Sequence, residues 1–293
     1  MSTLLEELET AAADAATTVG AATVAIGRSG RGSGVVVAEG RVLTNAHNLR
    51  DRTTQVTFAD GRAEQGSLLA LDPGADLAVV EVDTGDVEPV RWADQVPGVG
   101  AVVLAVSRGH GGPRVTVGFV SGVQRSFRGP RGRRIDGGLE HTAPMARGSS
   151  GGPLVDLAGR LVGLNTHRLG EGFYLAQAAE PQLVQRITAL VDGREPGGAE
   201  LGIAVAPAGV ARKLRRSVGL DERDGALVRS VADDSPAARA DLRTGDLIVG
   251  AAGRPVESVD DLHAVLGAHD VATPLELAVV RGAEALELTV AFG

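Results

Sequence analysis

A serine inside a glycine-rich turn is the first feature of this sequence that could carry chemistry. Ser150 lies in the segment Arg147-Gly148-Ser149-Ser150-Gly151-Gly152-Pro153-Leu154, directly before an apolar strand. Glycine permits backbone conformations that a Cβ forbids, so such a turn can expose the Ser150 hydroxyl. The same turn can aim backbone N–H groups at one point, where they would stabilise a developing oxyanion. The sequence therefore predicts a nucleophile at Ser150 and an oxyanion hole at Gly148, Ser149 and Ser150.

A nucleophilic serine needs a base, and the base needs a group that orients it. The base candidate is His47, in Leu43-Thr44-Asn45-Ala46-His47, although a lone histidine is most often a surface or core residue. The orienting acid is Asp76, in Asp76-Leu77-Ala78-Val79-Val80, although an aspartate before a strand is often only a turn or cap residue. Asp72 is the rival acid, and it fits better as the opening residue of an Asp-Pro-Gly turn.

Composition limits the remaining possibilities. A length of 293 residues suggests about two domains, and a hydrophobic fraction of 43% is enough for real cores. The absence of cysteine excludes disulfides, thiolate metal sites and thiol catalysis. The six histidines show no paired metal-ligand spacing, so we expect neither a metal nor a cofactor. A net charge of −8 argues against a dedicated nucleic-acid binder.

The N-terminus bears on location. Its first nine residues form an acidic amphipathic pattern, which predicts a helix capped by Ser2 or Thr3. This pattern lacks the basic and apolar regions of a signal peptide, and no apolar run reaches transmembrane length. We therefore expect a cytoplasmic protein, with an extracytoplasmic protease seen without its anchor as the alternative.

Short β-branched runs separated by glycine and turn residues indicate a mostly β chain, built as antiparallel barrels or sandwiches. A first set of runs lies between residues 22 and 83, and a second set begins at Ala101. Pro181 to Val191 is typical of a closing amphipathic helix, and residues 192–200 form a Gly/Pro-rich linker. Strand and helix patterns in residues 201–293 predict a separate α+β module. His47 and Asp76 thus belong to one β unit and Ser150 to the next, with a cleft expected between them.

At these residues the chain resembles the HtrA/Deg serine proteases of the chymotrypsin clan, which carry a C-terminal PDZ domain. The motifs that carry the resemblance are Thr44-Asn45-Ala46-His47, Asp76-Leu77-Ala78, Gly148-Ser149-Ser150-Gly151-Gly152, Leu201-Gly202-Ile203 and Gly245-Asp246-Leu247-Ile248. The resemblance implies two six-stranded antiparallel β-barrels followed by a small α+β PDZ domain. It divides the chain into an N-terminal helix and lead-in (1–20), a protease domain (21–191), a linker (192–200) and a PDZ domain (201–293). The family's usual asparagine before the serine is Ser149 here.

The resemblance also implies a substrate pocket. In the clan its floor lies just before the nucleophile, where this chain has Pro144-Met145-Ala146 and no carboxylate. We therefore expect small or medium apolar residues before the scissile bond. Its other walls correspond to Asn165, Thr166, His167 and Tyr174, with His167 left open between the pocket and an exposed loop.

The PDZ resemblance implies that a peptide C-terminus adds as a strand beside Leu201, Gly202, Ile203, Ala204 and Val205. Leu262 and Leu266 would form the opposite wall, unless these residues serve only as core. We expect unfolded or damaged proteins and peptide C-termini as partners, no nucleic acid, and a homo-oligomer as a possibility, since trimers are typical of the family.

One further segment is basic, with Arg125, Arg128, Arg131, Arg133 and Arg134 between two predicted strands. We interpret it as a solvated loop rather than a nucleic-acid site. The leading hypothesis is an ATP-independent serine endopeptidase. The alternative is a peptide-binding scaffold or holdase chaperone in which the protease fold is idle.

Overall fold

The computed structural model describes residues 3–28, 30–109, 112–128, 134–195, 199–206 and 208–292. The chain divides into two compact units, Met1–Pro196 and Gly197–Gly293. Each unit has its own buried hydrophobic core.

The first unit begins with helix α1 (Leu4–Ala22). Thr3, one of the two predicted caps, accepts a hydrogen bond from the Glu6 N–H, and the Glu6 carboxylate accepts one from the Thr3 N–H. This reciprocal pair satisfies two of the N–H groups that a helix start leaves without partners. The helix buries Ala15, Val19 and Ala22 in the core of the unit, which fixes the entry into the first strand.

Six strands form the first closed barrel, in the order β1-β2-β3-β6-β5-β4. All of its pairings are antiparallel, and its interior is lined mainly by valine and leucine. A 3₁₀ helix (Ala46–Asn48) follows the third strand and carries His47. The strands are β1 (Thr23–Ile26), β2 (Gly32–Ala38), β3 (Arg41–Asn45), β4 (Thr53–Thr57), β5 (Ala63–Asp72) and β6 (Leu77–Glu81).

A second closed barrel follows, in the order β10-β11-β12-β9-β8-β7. Helix α2 (Pro181–Val191), with the bounds expected from its sequence, ends this part of the chain and buries Ile187 and Leu190. The strands are β7 (Val102–Gly109), β8 (Gly112–Arg128), β9 (Arg134–His141), β10 (Pro153–Val155), β11 (Leu161–Gly170) and β12 (Phe173–Ala178). The two six-stranded antiparallel barrels confirm the predicted fold class.

Two segments differ from the expected loops. Arg125 and Arg128 lie on β8 and Arg134 begins β9, because these long strands pair as far as Arg128 and Arg134. Arg131 and Arg133 lie outside the described residues. Strand β11 likewise continues past Asn165 to Gly170, so His167 is a strand residue and not a loop residue.

The second unit contains a sheet in the order β13-β14-β15-β17-β18, with a short strand beside β15. Helix α3 was not singled out from the sequence. The elements are β13 (Ile203–Ala206), α3 (Ala208–Ser217), β14 (Ala226–Val231), α4 (Pro236–Arg239), β15 (Leu247–Ala251), β16 (Arg254–Pro255), α5 (Val259–Ala268), β17 (Leu275–Arg281) and β18 (Glu284–Val290). This architecture confirms the expected small α+β domain.

Candidate active site

Asp76 and His47 form the best-defined pair of the site. The Nδ1 of His47 lies 2.7 Å from Oδ2 of Asp76, and the His47 backbone N–H donates to Oδ1 at 3.0 Å. Asp76 is only 4% exposed and takes a positive φ of 56°, a conformation that aspartate tolerates better than most residues. Its own carbonyl accepts the Ala46 N–H and the Asn45 side-chain amide, which hold the turn in place.

This geometry fixes the protonation pattern of His47. An ionised carboxylate only accepts hydrogen bonds, so Nδ1 of a neutral imidazole must carry the proton. The Nε2 atom then presents a lone pair, as a general base requires. The His47 side chain is 27% exposed and the Asp76 side chain 5%, so the base reaches solvent while its orienting acid does not.

Ser150 enters the same site from the second barrel. Its carbonyl accepts hydrogen bonds from the Asn48 side-chain amide at 2.9 Å and from the Ser33 N–H at 2.8 Å, both in the first barrel. Its hydroxyl donates to the Thr166 carbonyl at 2.8 Å. Among the hydrogen bonds of the described residues, none joins the Ser150 hydroxyl to the His47 ring. The structure thus brings the residues to one place with the hydroxyl turned toward Thr166.

The turn around Ser150 depends on two glycines. Gly148 has a φ of +85°, and a Cβ there would meet the Gly30 carbonyl at 2.7 Å. Gly151 has a φ of +84°, and a Cβ there would meet the Ser33 carbonyl at 2.2 Å. In the described part of the chain, the N–H groups of Gly148 and Ser150 have no intramolecular acceptor. They are available for the predicted oxyanion.

A buried polar network beneath this turn was not anticipated from the sequence. The Ser33 hydroxyl donates to the Gly148 carbonyl at 2.8 Å, and the Ser33 carbonyl accepts from Thr44 Oγ1 at 2.7 Å. Asn48, directly after His47, donates to Thr44 Oγ1 at 3.0 Å. Polar residues in Gly32-Ser33-Gly34 and next to a candidate base were the available signal. These bonds hold the carbonyls of Ser33 and Gly148 in place beneath the nucleophile turn.

Asn165 holds the nucleophile turn from the other side. Its carbonyl accepts the Gly151 N–H at 2.7 Å and its N–H donates to the Gly152 carbonyl at 2.9 Å. Its side-chain oxygen lies 3.1 Å from Nε2 of the fully buried His141. Burial lowers the pKa of His141 to about 4, and the contact with Asn165 opposes that shift. His141 is therefore neutral at neutral pH, and its Nδ1 has no hydrogen-bond partner among the described residues.

The predicted pocket residues lie on β11, on β12 and in the segment that precedes the nucleophile turn. Met145 and Tyr174 are nearly buried in the core of the second barrel. Arg168, which the sequence did not single out, donates to the Met145 carbonyl at 2.8 Å and lies over the Tyr174 ring at 5.5 Å. The His167 ring lies edge-on to His47 with centroids 6.3 Å apart, so it borders the site. The Pro144 carbonyl accepts from Thr116, and Ala146 accepts the Ser149 N–H.

The residues predicted to bind peptide in the second unit fall into two groups. Among the described strands, β13, with Ile203, Ala204 and Val205, pairs with β14 alone and forms one edge of the sheet. The N–H groups of Leu201 and Gly202 donate to no acceptor in the described residues. The side chains of Leu201, Leu262 and Leu266 lie in the core of the unit. A role for them in peptide binding stays a prediction.

The basic run, the helices and the acidic and histidine side chains bear on nucleic-acid, membrane and metal binding. Arg125 pairs with Glu140 at 3.4 Å and Arg134 with Asp136 at 2.8 Å, so carboxylates lie beside two residues of the basic run. In the residues that the structure describes, no helix combines the length and apolarity needed to cross a membrane. Over the same residues, no group of three or more acidic or histidine side chains is arranged to hold a metal ion.

Comparisons with known proteins give a consistent result. The family profile of a trypsin-like peptidase domain matches residues 32–164, and that of a PDZ domain matches residues 200–292. The periplasmic serine endoprotease DegP of Escherichia coli is 31% identical over 260 residues, which cover 85% of this chain and 54% of DegP. A probable DegP-like periplasmic endoprotease of Pseudomonas fluorescens is 32% identical, with coverages of 88% and 56%. The chain therefore spans about half the length of the curated relatives it matches.

Solved structures match over almost the full chain. The serine endoprotease from Yersinia pestis is 25% identical with a TM-score of 0.67, covering 99% of this chain and 98% of its own. The HtrA-type protease AlgW with tripeptide is 27% identical with a TM-score of 0.62, covering 95% of each chain.

The same comparisons correct one expectation. A cytoplasmic location was inferred from the absence of an export signal in this chain, and that inference is wrong. The matched DegP and DegP-like relatives are periplasmic by name.

Proposed function

Since this chain belongs to the HtrA/DegP-type family, in which a trypsin-like peptidase domain precedes a PDZ domain, we propose that it is a serine endopeptidase. Ser150 is the nucleophile, His47 the general base and Asp76 the group that orients the base. The observation that carries the proposal is the pair of hydrogen bonds that the Asp76 carboxylate accepts from the ring and from the backbone N–H of His47. It prepares Nε2 to accept a proton next to the loop that carries Ser150.

In the proposed reaction, Ser150 Oγ attacks the scissile carbonyl carbon and its proton passes to Nε2 of His47. The carbonyl oxygen becomes an oxyanion, which the N–H groups of Gly148 and Ser150 stabilise. The His47 imidazolium then protonates the leaving amine as the C–N bond breaks, leaving an acyl-enzyme. Water, deprotonated by His47, releases the acyl group, while Asp76 stays ionised throughout.

An activation step belongs to this proposal, because the Ser150 hydroxyl donates to the Thr166 carbonyl. Rotation of the Ser150 side chain would release that bond and bring Oγ to Nε2 of His47. Thr166 Oγ1 lies 3.5 Å from Oδ2 of Asp76, so this residue touches both ends of the proposed triad. The arrangement supports a resting state that peptide binding converts to a reactive one.

The proposed specificity follows from the pocket. Met145 and Tyr174 supply apolar surface, and the Arg168 guanidinium spans from one to the other. None of these three residues offers a carboxylate to a basic side chain, and the Arg168 guanidinium would repel one. We therefore keep the prediction of small or medium apolar residues before the scissile bond.

The substrate class and partners are proposed from the family. Unfolded or damaged proteins expose apolar stretches in extended form, which is the form a protease cleft binds. The free edge of β13 supports binding of a peptide C-terminus by strand addition at the PDZ domain. The location proposed for this activity is extracytoplasmic, after the names of the relatives. A homo-oligomer of this chain stays a prediction, which no observation tests.

The test compares the wild-type protein with Ser150→Ala, using unfolded β-casein and a folded protein as substrates. We expect the wild type to cut casein after small apolar residues and to spare the folded protein, and Ser150→Ala to cut neither. A wild type that cuts nothing, even with peptides added for the PDZ domain, would contradict the proposal. If that inert protein prevented aggregation of a denatured client, the holdase alternative would be favoured.

A further inference from the structure

Arg108 is a buried arginine whose charge faces backbone rather than a carboxylate. It is 6% exposed, and within the described residues no carboxylate lies at ion-pair distance from it. Its Nε donates to the Thr23 carbonyl at 2.7 Å and its Nη2 to the Gly20 carbonyl at 2.8 Å. Burial lowers the pKa of its guanidinium, and the more distant charge of Asp60 opposes that shift. Such a cation is costly to bury, so its contacts need an explanation.

The side chain of Arg108 joins the end of α1 to the start of β1. The last carbonyls of a helix lack intrahelical partners, and the helix dipole favours a cation near them. Gly20 belongs to the last turn of α1 and Thr23 is the first residue of β1. Strand β1 pairs with β2, where Ala25 lies opposite Ser33. The guanidinium therefore holds the first barrel at the hairpin that contains Ser33.

The backbone of Arg108 reaches the same serine from the second barrel. Its N–H donates to Ser33 Oγ at 3.1 Å, and Ser33 Oγ donates onward to the Gly148 carbonyl at 2.8 Å. The preceding residue, Ser107, accepts from the Ser149 hydroxyl at 3.1 Å. The end of β7 thus lies directly beneath the turn that carries the nucleophile.

From these contacts we propose that Arg108 is a positioning residue, which couples α1 and the first barrel to the oxyanion loop of the second. The base and its acid lie in one barrel and the nucleophile in the other, so their alignment depends on how the barrels are held. Arg108 connects the two barrels at Ser33, which is itself hydrogen-bonded to both Gly148 and Ser150. The expected effect on catalysis rests on the proposed function, whereas the coupling of α1 to the oxyanion loop does not.

The test replaces Arg108 with Met, which keeps the aliphatic stem and the backbone N–H that donates to Ser33, and removes the guanidinium donors to Thr23 and Gly20. Arg41→Met is the matched control, because Arg41 Nε donates to the Val191 carbonyl at the end of α2, away from the nucleophile loop. We expect Arg108→Met to lower kcat by roughly 10- to 100-fold, the scale of a misplacement below 1 Å, with KM little changed. Arg108→Lys, which keeps the cation, should recover part of the loss. Arg41→Met should stay within a few-fold of the wild type.

A second measurement is independent of turnover. Hydrogen–deuterium exchange of peptides covering residues 146–152 should be faster in Arg108→Met than in the wild type, and unchanged in Arg41→Met. A folded Arg108→Met protein with wild-type kcat and wild-type exchange would overturn the inference, as would equal losses in the two methionine variants. If Arg108→Met does not fold, Arg108→Lys and Ser33→Ala carry the same comparison. An inert wild type would count against the proposed function alone, because the exchange comparison would still decide this one.

Discussion

Replacing Asp76 with Asn changes one atom of the site and should nearly abolish activity. The His47 backbone N–H, which is always a donor, points at Oδ1 of Asp76 at 3.0 Å. An asparagine must therefore place its carbonyl oxygen there, because the reverse orientation would set two donors against each other. Its NH₂ group then faces Nδ1 of His47, where the carboxylate oxygen stood at 2.7 Å.

The consequence is a change of tautomer. Nδ1 can accept a hydrogen bond from NH₂ only if it carries no proton, so the proton moves to Nε2. The imidazole can then no longer accept the proton of Ser150. By analogy with the serine-protease template, kcat should fall by roughly 10⁴, equivalent to about 5.5 kcal/mol in the activation barrier. The fold should survive, since asparagine also tolerates the positive φ of this position.

The assay is kcat/KM on a chromogenic peptide with a small apolar residue before the scissile bond, with thermal unfolding as the check on folding. Asp72→Asn is the matched control. Asp72 caps the turn by accepting the Ala75 N–H at 2.9 Å, a bond that an asparagine oxygen can keep. We expect Asp72→Asn to retain activity within a few-fold. A folded Asp76→Asn protein within about tenfold of the wild type, or an equal loss in Asp72→Asn, would refute the tautomer argument.

Three further predictions follow from the same site. Because burial lowers the pKa of His141 to about 4 from 6.5, the unfolded chain binds a proton there that the folded chain does not. The free energy of unfolding should therefore fall by up to about 3 kcal/mol as pH drops from 6.5 to 4. Urea unfolding of His141→Gln at both pH values should show that this part of the decrease is gone. An equal decrease in the wild type and in His141→Gln would contradict the prediction. Arg168→Ala should open the pocket beside Met145 and raise the kcat/KM ratio of a Phe to an Ala peptide by about tenfold, and an unchanged ratio would place Arg168 outside the pocket. Gly151→Ala should abolish casein cleavage, because its Cβ would lie 2.2 Å from the Ser33 carbonyl; normal activity would show that the turn tolerates a side chain.

The sequence predicted most of the fold because its elements carry strong local signals. The local sequence predicts these elements directly: apolar β-branched runs form strands β2 and β6, and a proline begins helix α2. Strand β5 has a weak sequence signal because its first half alternates polar and small residues, and a half-exposed strand leaves little hydrophobic pattern. Helix α3 was missed because its basic face outweighs a few apolar positions.

The sequence indicated which residues form the candidate site, but it did not indicate the hydrogen bonds that hold those residues in place. The local motifs indicate the roles proposed for Ser150, His47 and Asp76. The bond from Ser33 to Gly148 joins residues 115 positions apart, and the bond from Arg108 to Gly20 joins residues 88 apart. Such contacts arise only when two barrels pack together, and no local pattern encodes them. The orientation of the Ser150 hydroxyl toward Thr166 is set within the second barrel, where the nucleophile turn lies against β11.

The most direct test of a nucleophilic Ser150 is labelling of the whole chain with a fluorophosphonate, followed by mass spectrometry of its peptides. A single adduct on the peptide that contains Ser150, lost in Ser150→Ala and strongly reduced in His47→Ala, is the predicted result. An adduct at another residue, or none under conditions that label a known serine protease even after peptides are added for the PDZ domain, would contradict it.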